Sequence, residues 1–206
     1  FISAAMDALP QLAFEIEQIA PAALADKLLS EYAFVIVGDG GALAEEDSAL
    51  LQDYVAAGGA LLMALGPRAA GLDQVPVTNH DFLAVSTFGN LDSDFASVGN
   101  LDRTHPALAS VDEIRSAKFL RYLAVEPSES DRVLMRLDDG SPLLIEHTLG
   151  DGQVLLFTSS LDREWNDLPV KPVFVPLLAE LSSYLTGGLG LSGEASLGST
   201  LSPRAA

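Results

Sequence analysis

At 206 residues without a single cysteine, the chain is long enough to bury a core unaided, and thiol nucleophiles, thiolate metal sites and disulfides are excluded. Its 29 acidic against 11 basic residues leave a formal net charge of -18, which repels phosphate backbones and anionic lipid head groups; nucleic acid is excluded as an expected partner, and although such a surface attracts cations and basic protein faces, its commonest meaning is solubility. No apolar run approaches the roughly 20 residues that span a bilayer, so any membrane attachment is expected through segments outside this sequence.

In chain order, Ile2, Met6 and Leu9 recur at helical spacing up to Pro10, and Phe14 and Ile16 then alternate as in a strand. Leu24, Leu28 and Leu29 suggest a second short helix behind Pro21. The run AFVIV at 33–37 reads as a central parallel strand buried on both faces, ending in the loop GDGG. Leu50, Leu51, Tyr54 and Val55 share a helical face, Gly58 and Gly59 stop that helix, and ALLMAL at 60–65 is a further buried strand. Residues 33–66 therefore predict one βαβ unit.

Beyond this unit the pattern changes. Residues 79–100 are rich in Asp, Ser, Gly and Asn, which predicts short strands and loops. KFLRYLAV, RVLMRL, PLLIEHT and QVLLFT, separated by turn signals at 138–140 and 150–152, predict antiparallel neighbours of which the last rejoins the main sheet. Val173, Phe174, Leu177, Leu178, Leu181, Tyr184 and Leu185 form the strongest amphipathic stripe, a helix expected to pack on the sheet. Residues 188–206 are small-residue rich and read as a linker or tail.

Three loops are candidate site elements. Asp39, Gly40 and Gly41 follow the first buried strand, where open α/β sheets place ligands, but no phosphate-binding spacing is present and Asp39 would oppose an anion. Gly66, Pro67 and Arg68 follow the second, where related hydrolases and amidotransferases carry a nucleophile; none of these three side chains can attack a carbonyl. Asp162, Glu164 and Asp167 crowd around Trp165, the only tryptophan, and could bind a hard cation or act as an acid and base pair on a sugar. The competing explanation is structural: Ser159, Ser160 and Asp162 cap backbone amides while Trp165 plugs the loop onto the body. His80, His105 and His147 have no metal-ligand spacing, so no metal or other cofactor is expected; His105 reads as a loop residue and His147 as one face of a strand. A triad of Ser159 or Ser160 with His147 and a carboxylate is conceivable but unspecific.

The stretches from Tyr32 to Gly66, HPAL at His105 and Asp139 to Leu185, above all DGSPLLIEH and FTSSLDREWNDLP, cover about half of the chain. They resemble the class I glutamine amidotransferase-like domain of bacterial membrane proteins that have an N-terminal double-transmembrane region and are related to Bat aerotolerance proteins. The resemblance implies a flavodoxin-like fold, membrane anchoring elsewhere, an extracytoplasmic (periplasmic) location and protein partners in a membrane-associated assembly. It implies no activity, because the cysteine of active members has no counterpart at the turn after residue 65.

The combined expectation is a three-layer, doubly wound, mostly parallel α/β domain over 1–187 with a β-rich insertion at 79–150. Its expected role is non-catalytic ligand binding or protein interaction at the edge formed by Asp39, Gly40, Gly41, Gly66, Arg68, Asp162, Glu164, Trp165 and Asp167. The alternative is a hydrolase, carbohydrate-directed, using the carboxylates of the 162–167 loop.

Overall fold

The structure is a computed structural model that describes residues 1–7, 15–87, 94–109 and 111–187. The chain opens with helix α1 (Ile2–Asp7), two 3-10 turns at Pro21–Asp26 and Leu29–Glu31, strand β1 (Val35–Val37), helix α2 (Glu45–Ala56) and strand β2 (Ala60–Ala64). Strands β3 (Phe82–Thr87), β4 (Ala96–Leu101), β5 (Lys118–Phe119), β6 (Arg121–Val125), β7 (Arg132–Leu137), β8 (Pro142–Leu149) and β9 (Gly152–Phe157) follow, and helix α3 (Phe174–Leu185) closes the described chain.

Seven strands form one sheet in the order β1-β2-β9-β8-β7-β4-β5, and β3 pairs with β6 in a separate ribbon. Only β1, β2 and β9 run parallel to one another; β9-β8, β8-β7, β7-β4 and β4-β5 are antiparallel. The doubly wound, mostly parallel, flavodoxin-like expectation is thereby corrected. The reason is the connections: β8 and β9 are joined by the two-residue turn at Gly150 and Asp151, with Gly150 at φ +61°, and β7 and β8 by a turn with Gly140 at φ +89°. Such tight turns reverse the chain, whereas a parallel neighbour needs a crossover of a dozen or more residues. The β-rich stretch supplies four of the seven strands of the main sheet, β4, β5, β7 and β8, as well as the separate ribbon of β3 and β6.

A second correction concerns β1. Among the described residues it pairs only with β2, and it is half-buried along its length, so there it is an edge strand and not the centre of the sheet. The fully enclosed centre is β2 and β9, paired from Ala60 with Gln153 to Ala64 with Phe157. Alternation of side chains serves two cores. Leu62, Ala64, Leu144, Leu155 and Phe157 pack with α1 and α3, while Leu61, Met63, Ile145, Val154 and Leu156 pack with Leu51 and Val55 of α2 and with Leu123 and Val125 of β6.

The expected helix across Leu24 to Leu29 is two short 3-10 turns with Leu28 exposed, its single leucine cluster being too short for a stable α-helix. Of the strand expected around Phe14 and Ile16, residues 15–20 form no strand, and Phe14 lies outside the described residues, as do Leu9, Pro10 and the stretch 188–206. The helix at Phe174–Leu185 is found where the stripe places it, burying Leu177, Leu178, Leu181 and Leu185.

Candidate functional site

Because β1, β2 and β9 are parallel neighbours, the loops that follow them leave from the same end of their strands, and the third then runs on to β5, where Asn166 bridges Phe119. The first two are in direct contact. Asp39 accepts from its own loop at Gly41 N (3.1 Å) and from Arg68 N (3.3 Å), so its carboxylate ties one loop to the other. A Cβ on Gly41 would sit 2.1 Å from Ala69 N, and one on Gly66 would meet the Asp39 carboxyl at 2.6 Å. These glycines permit the close approach of the two loops. Strand order does not reverse between β1, β2 and β9, so the crevice of a topological switch point is not formed there. Gly41→Ala should therefore cost about 1–3 kcal/mol through overpacking against backbone, read as a fall in the urea midpoint at unchanged slope.

The third segment is anchored to the sheet by its own side chains. Trp165 is buried, and its carbonyl accepts from Leu120 N (2.8 Å) and Arg121 N (3.1 Å). Asp162 accepts from Glu164 N at 2.8 Å; Asp167 accepts from Lys118 N at 2.7 Å and pairs with Lys171 at 3.0 Å. Asn166, which the sequence does not single out, donates to Ser159 Oγ (3.0 Å) and to the Ser160 carbonyl (2.7 Å), and accepts from Leu168 N (3.0 Å). Two of the three carboxylates are thus backbone caps. Ser159 donates to the Arg121 carbonyl at 2.8 Å, and His147 pairs with Val154, five residues before Ser159 and so about 16 Å away along the strand. The conceivable Ser, His and carboxylate triad does not assemble.

Two of the three histidines do assemble, but with another partner. His80 and His147 converge on Asp131: His80 Nε2 lies 2.6 Å from Asp131 Oδ2, and His147 Nδ1 lies 2.8 Å from Asp131 Oδ1. Ser128 N donates to Oδ2 at 2.7 Å, and the two rings meet edge to face with centroids 5.0 Å apart. The Asp131 side chain is 0% exposed, that of His80 3% and that of His147 15%, so only one ring reaches solvent. The ligand atoms of these three residues lie within 4.8 Å of one another, a set able to hold a metal ion.

The turn that presents His80 is strained. Val77 has φ +68° and Asn79 φ +56°; the left-handed region is a genuine outlier for a β-branched residue, costing on the order of 1–3 kcal/mol. Ser48 Oγ accepts from Val77 N and Gln52 Nε2 donates to Val77 O, both at 2.8 Å, so α2 clamps the turn in place. On the other face of β8, Glu146 accepts from Tyr184 Oη and lies 3.4 Å from His105 Nε2, with the His105 and Tyr184 rings 4.3 Å apart. Burial, then the hydrogen bond to Glu146, pushes the Tyr184 phenol up to about 12. Adjacent Glu146 and His147, ionisable residues that follow the apolar run from Pro142 to Ile145 in the same strand, are the sequence signal for both clusters.

Burial by itself raises the Asp131 carboxyl, but hydrogen bonds from His147, His80 and Ser128 outweigh it and hold the group below its usual value. A lowered carboxylate adds stability that is fully present above the unfolded value near 4 and is lost as pH falls through the lower folded value. The urea midpoint should accordingly drop more steeply below about pH 4 in the wild type than in Asp131→Asn.

No protein-family model matches the chain, and no curated protein matches it in sequence. Solved structures do match. The chain is similar to the cytoplasmic protein STM1381 from Salmonella typhimurium LT2 (18% identity, TM-score 0.64, covering 90% of this chain and 86% of that one). It is similar to the cytoplasmic protein STM3548 from Salmonella typhimurium (17% identity, TM-score 0.58, covering 84% and 76%). A β-galactosidase from Bacillus circulans sp. alkalophilus matches at 17% identity and TM-score 0.61 over 89% of this chain, which spans only 26% of that enzyme. At such identities the likeness is one of fold. The extracytoplasmic, membrane-protein expectation is corrected: the first two neighbours are named as cytoplasmic proteins, and no described helix is long and apolar enough to cross a membrane.

Proposed function

We propose that this chain is a non-catalytic domain of carbohydrate hydrolysis, one that binds a ligand or a protein partner beside a glycoside hydrolase rather than cleaving the glycoside itself. The observation that carries this reading is the recurrence of the fold as about a quarter of a β-galactosidase, against nearly the whole of this chain. Further support comes from the turn after β2, which offers Gly66, Pro67 and Arg68 where a nucleophile would stand, and from Asp162 and Asp167, which are engaged with backbone amides.

The second reading is that the domain is itself a hydrolase. It draws on the same β-galactosidase likeness and on the exposure of Asp162 and Glu164. One pair of measurements separates the two. Chromogenic β-galactosides should show no turnover by the purified chain above the buffer rate, and amide shifts on titration with galacto-oligosaccharides should be confined to 38–41, 66–68 and 162–167. Turnover that vanishes in Asp162→Asn or Glu164→Gln would place the chemistry in this domain.

A further inference from the structure

We propose that His80, Asp131 and His147 form a binding site for a divalent transition-metal cation, with Zn2+ the first to test. The inference is independent of the function proposed above. It rests on three donors brought together from three separate segments: the turn before β3, the residue that precedes β7, and β8.

The donor chemistry selects the ion. Two imidazole nitrogens and a carboxylate oxygen suit zinc and its first-row neighbours, whereas calcium and magnesium require shells dominated by oxygen. Tetrahedral bonds of about 2.0–2.1 Å place ligand atoms about 3.3 Å apart. The contacts of 2.6 and 2.8 Å between Asp131 and the two rings would each open by about half an ångström, and the set as a whole would close from its present 4.8 Å span. Asp131 Oδ1 is the oxygen to ligate: its one contact, His147 Nδ1 at 2.8 Å, gives way when that nitrogen, deprotonated, takes the metal, whereas Oδ2 is held by Ser128 N at 2.7 Å as well as by His80.

The outer contacts also fit. His80 Nδ1 lies 2.7 Å from Thr78 Oγ1, so with Nε2 on a metal the Nδ1 proton has an acceptor that fixes the ring. His147 is the solvent-facing ligand, and the fourth position is left to water on that side. The left-handed turn at Val77 and Asn79 brings His80 to the carboxylate, a local strain that a bound cation would repay by joining the turn to β7 and β8. A net charge of -18 raises the local concentration of cations around the molecule.

The test starts from the full chain stripped with chelator and dialysed. Calorimetric titration with Zn2+ should give one ion per chain with proton release, and Zn2+ should raise the thermal midpoint. Co2+ should show the intense visible absorption of a low-coordinate site with nitrogen ligands. His147→Ala, at the solvent-facing position, should weaken Zn2+ binding by about 100-fold or more, and Thr78→Val by about 10-fold. Absence of Zn2+ binding overturns the proposal, as does binding that His147→Ala and His80→Gln leave unchanged, since that would be scattered surface carboxylates. Should a variant fail to fold, the Co2+ spectrum of the unaltered chain decides: weak absorption of the aqua-ion type overturns the site.

Discussion

Trp165→Ala is expected to lower the unfolding free energy by about 3–5 kcal/mol, the usual result of emptying a large buried aromatic site. Trp165 is 2% exposed and lies in the core shared by α2, β2, β9 and β6. It is also the residue through which the 158–168 loop is fastened to the start of β6, its carbonyl accepting from Leu120 and Arg121. The informative contrast is Trp165→Phe. Among the described residues, Trp165 Nε1 is the buried side-chain polar atom without a hydrogen-bond partner, so phenylalanine discards an unsatisfied donor while retaining much of the apolar volume. The phenylalanine variant should therefore lose less than about 2 kcal/mol by urea denaturation. Equal losses in the two variants would mean that the indole N–H has a partner, such as a bridging water.

Asp131→Ala should be about as damaging, at roughly 3–5 kcal/mol measured in chelator, because each hydrogen bond to a buried charged group contributes about 1.5–3 kcal/mol and three converge on this carboxylate. Its loss strands both imidazoles and the Ser128 amide together. Asp112→Ala is the comparison. It breaks the pair with Arg103 at 2.6 Å, but those side chains are 63% and 53% exposed, so the cost should stay below about 1 kcal/mol. Similar losses for the two aspartates, seen as similar urea midpoints, would show that the His80 and His147 contacts contribute little to folding.

Patterns that depend on neighbours in sequence were legible, and those that depend on distant partners were not. The stripe from Val173 to Leu185 announces α3 because residues three and four positions apart fall on one helical face, and the turn glycines at 140 and 150 announce the hairpins of β7, β8 and β9. The position of β1 was misread because an apolar run of that length fits either a central strand or an edge strand covered by 3-10 turns. That the three candidate loops leave from the same strand end follows from the parallel β1, β2 and β9, which sequence does suggest; the packing of the first two on each other depends on Gly41 meeting Ala69 across 28 positions. His80, Asp131 and His147 are separated by 51 and 16 positions and have no spacing motif, so only the pairing of β7 with β8 and the strained turn at Val77 bring them together.

Among the described residues, the main sheet ends on one side in the three residues of β1 and on the other in the two residues of β5. Strands that short offer an incoming chain almost no ladder of free amides and carbonyls to extend, so stacking of copies into fibrils along these borders is disfavoured even at high concentration. Association at these two borders is instead read by side chains, where a chain rich in carboxylates discriminates among companions by the sign of their charge.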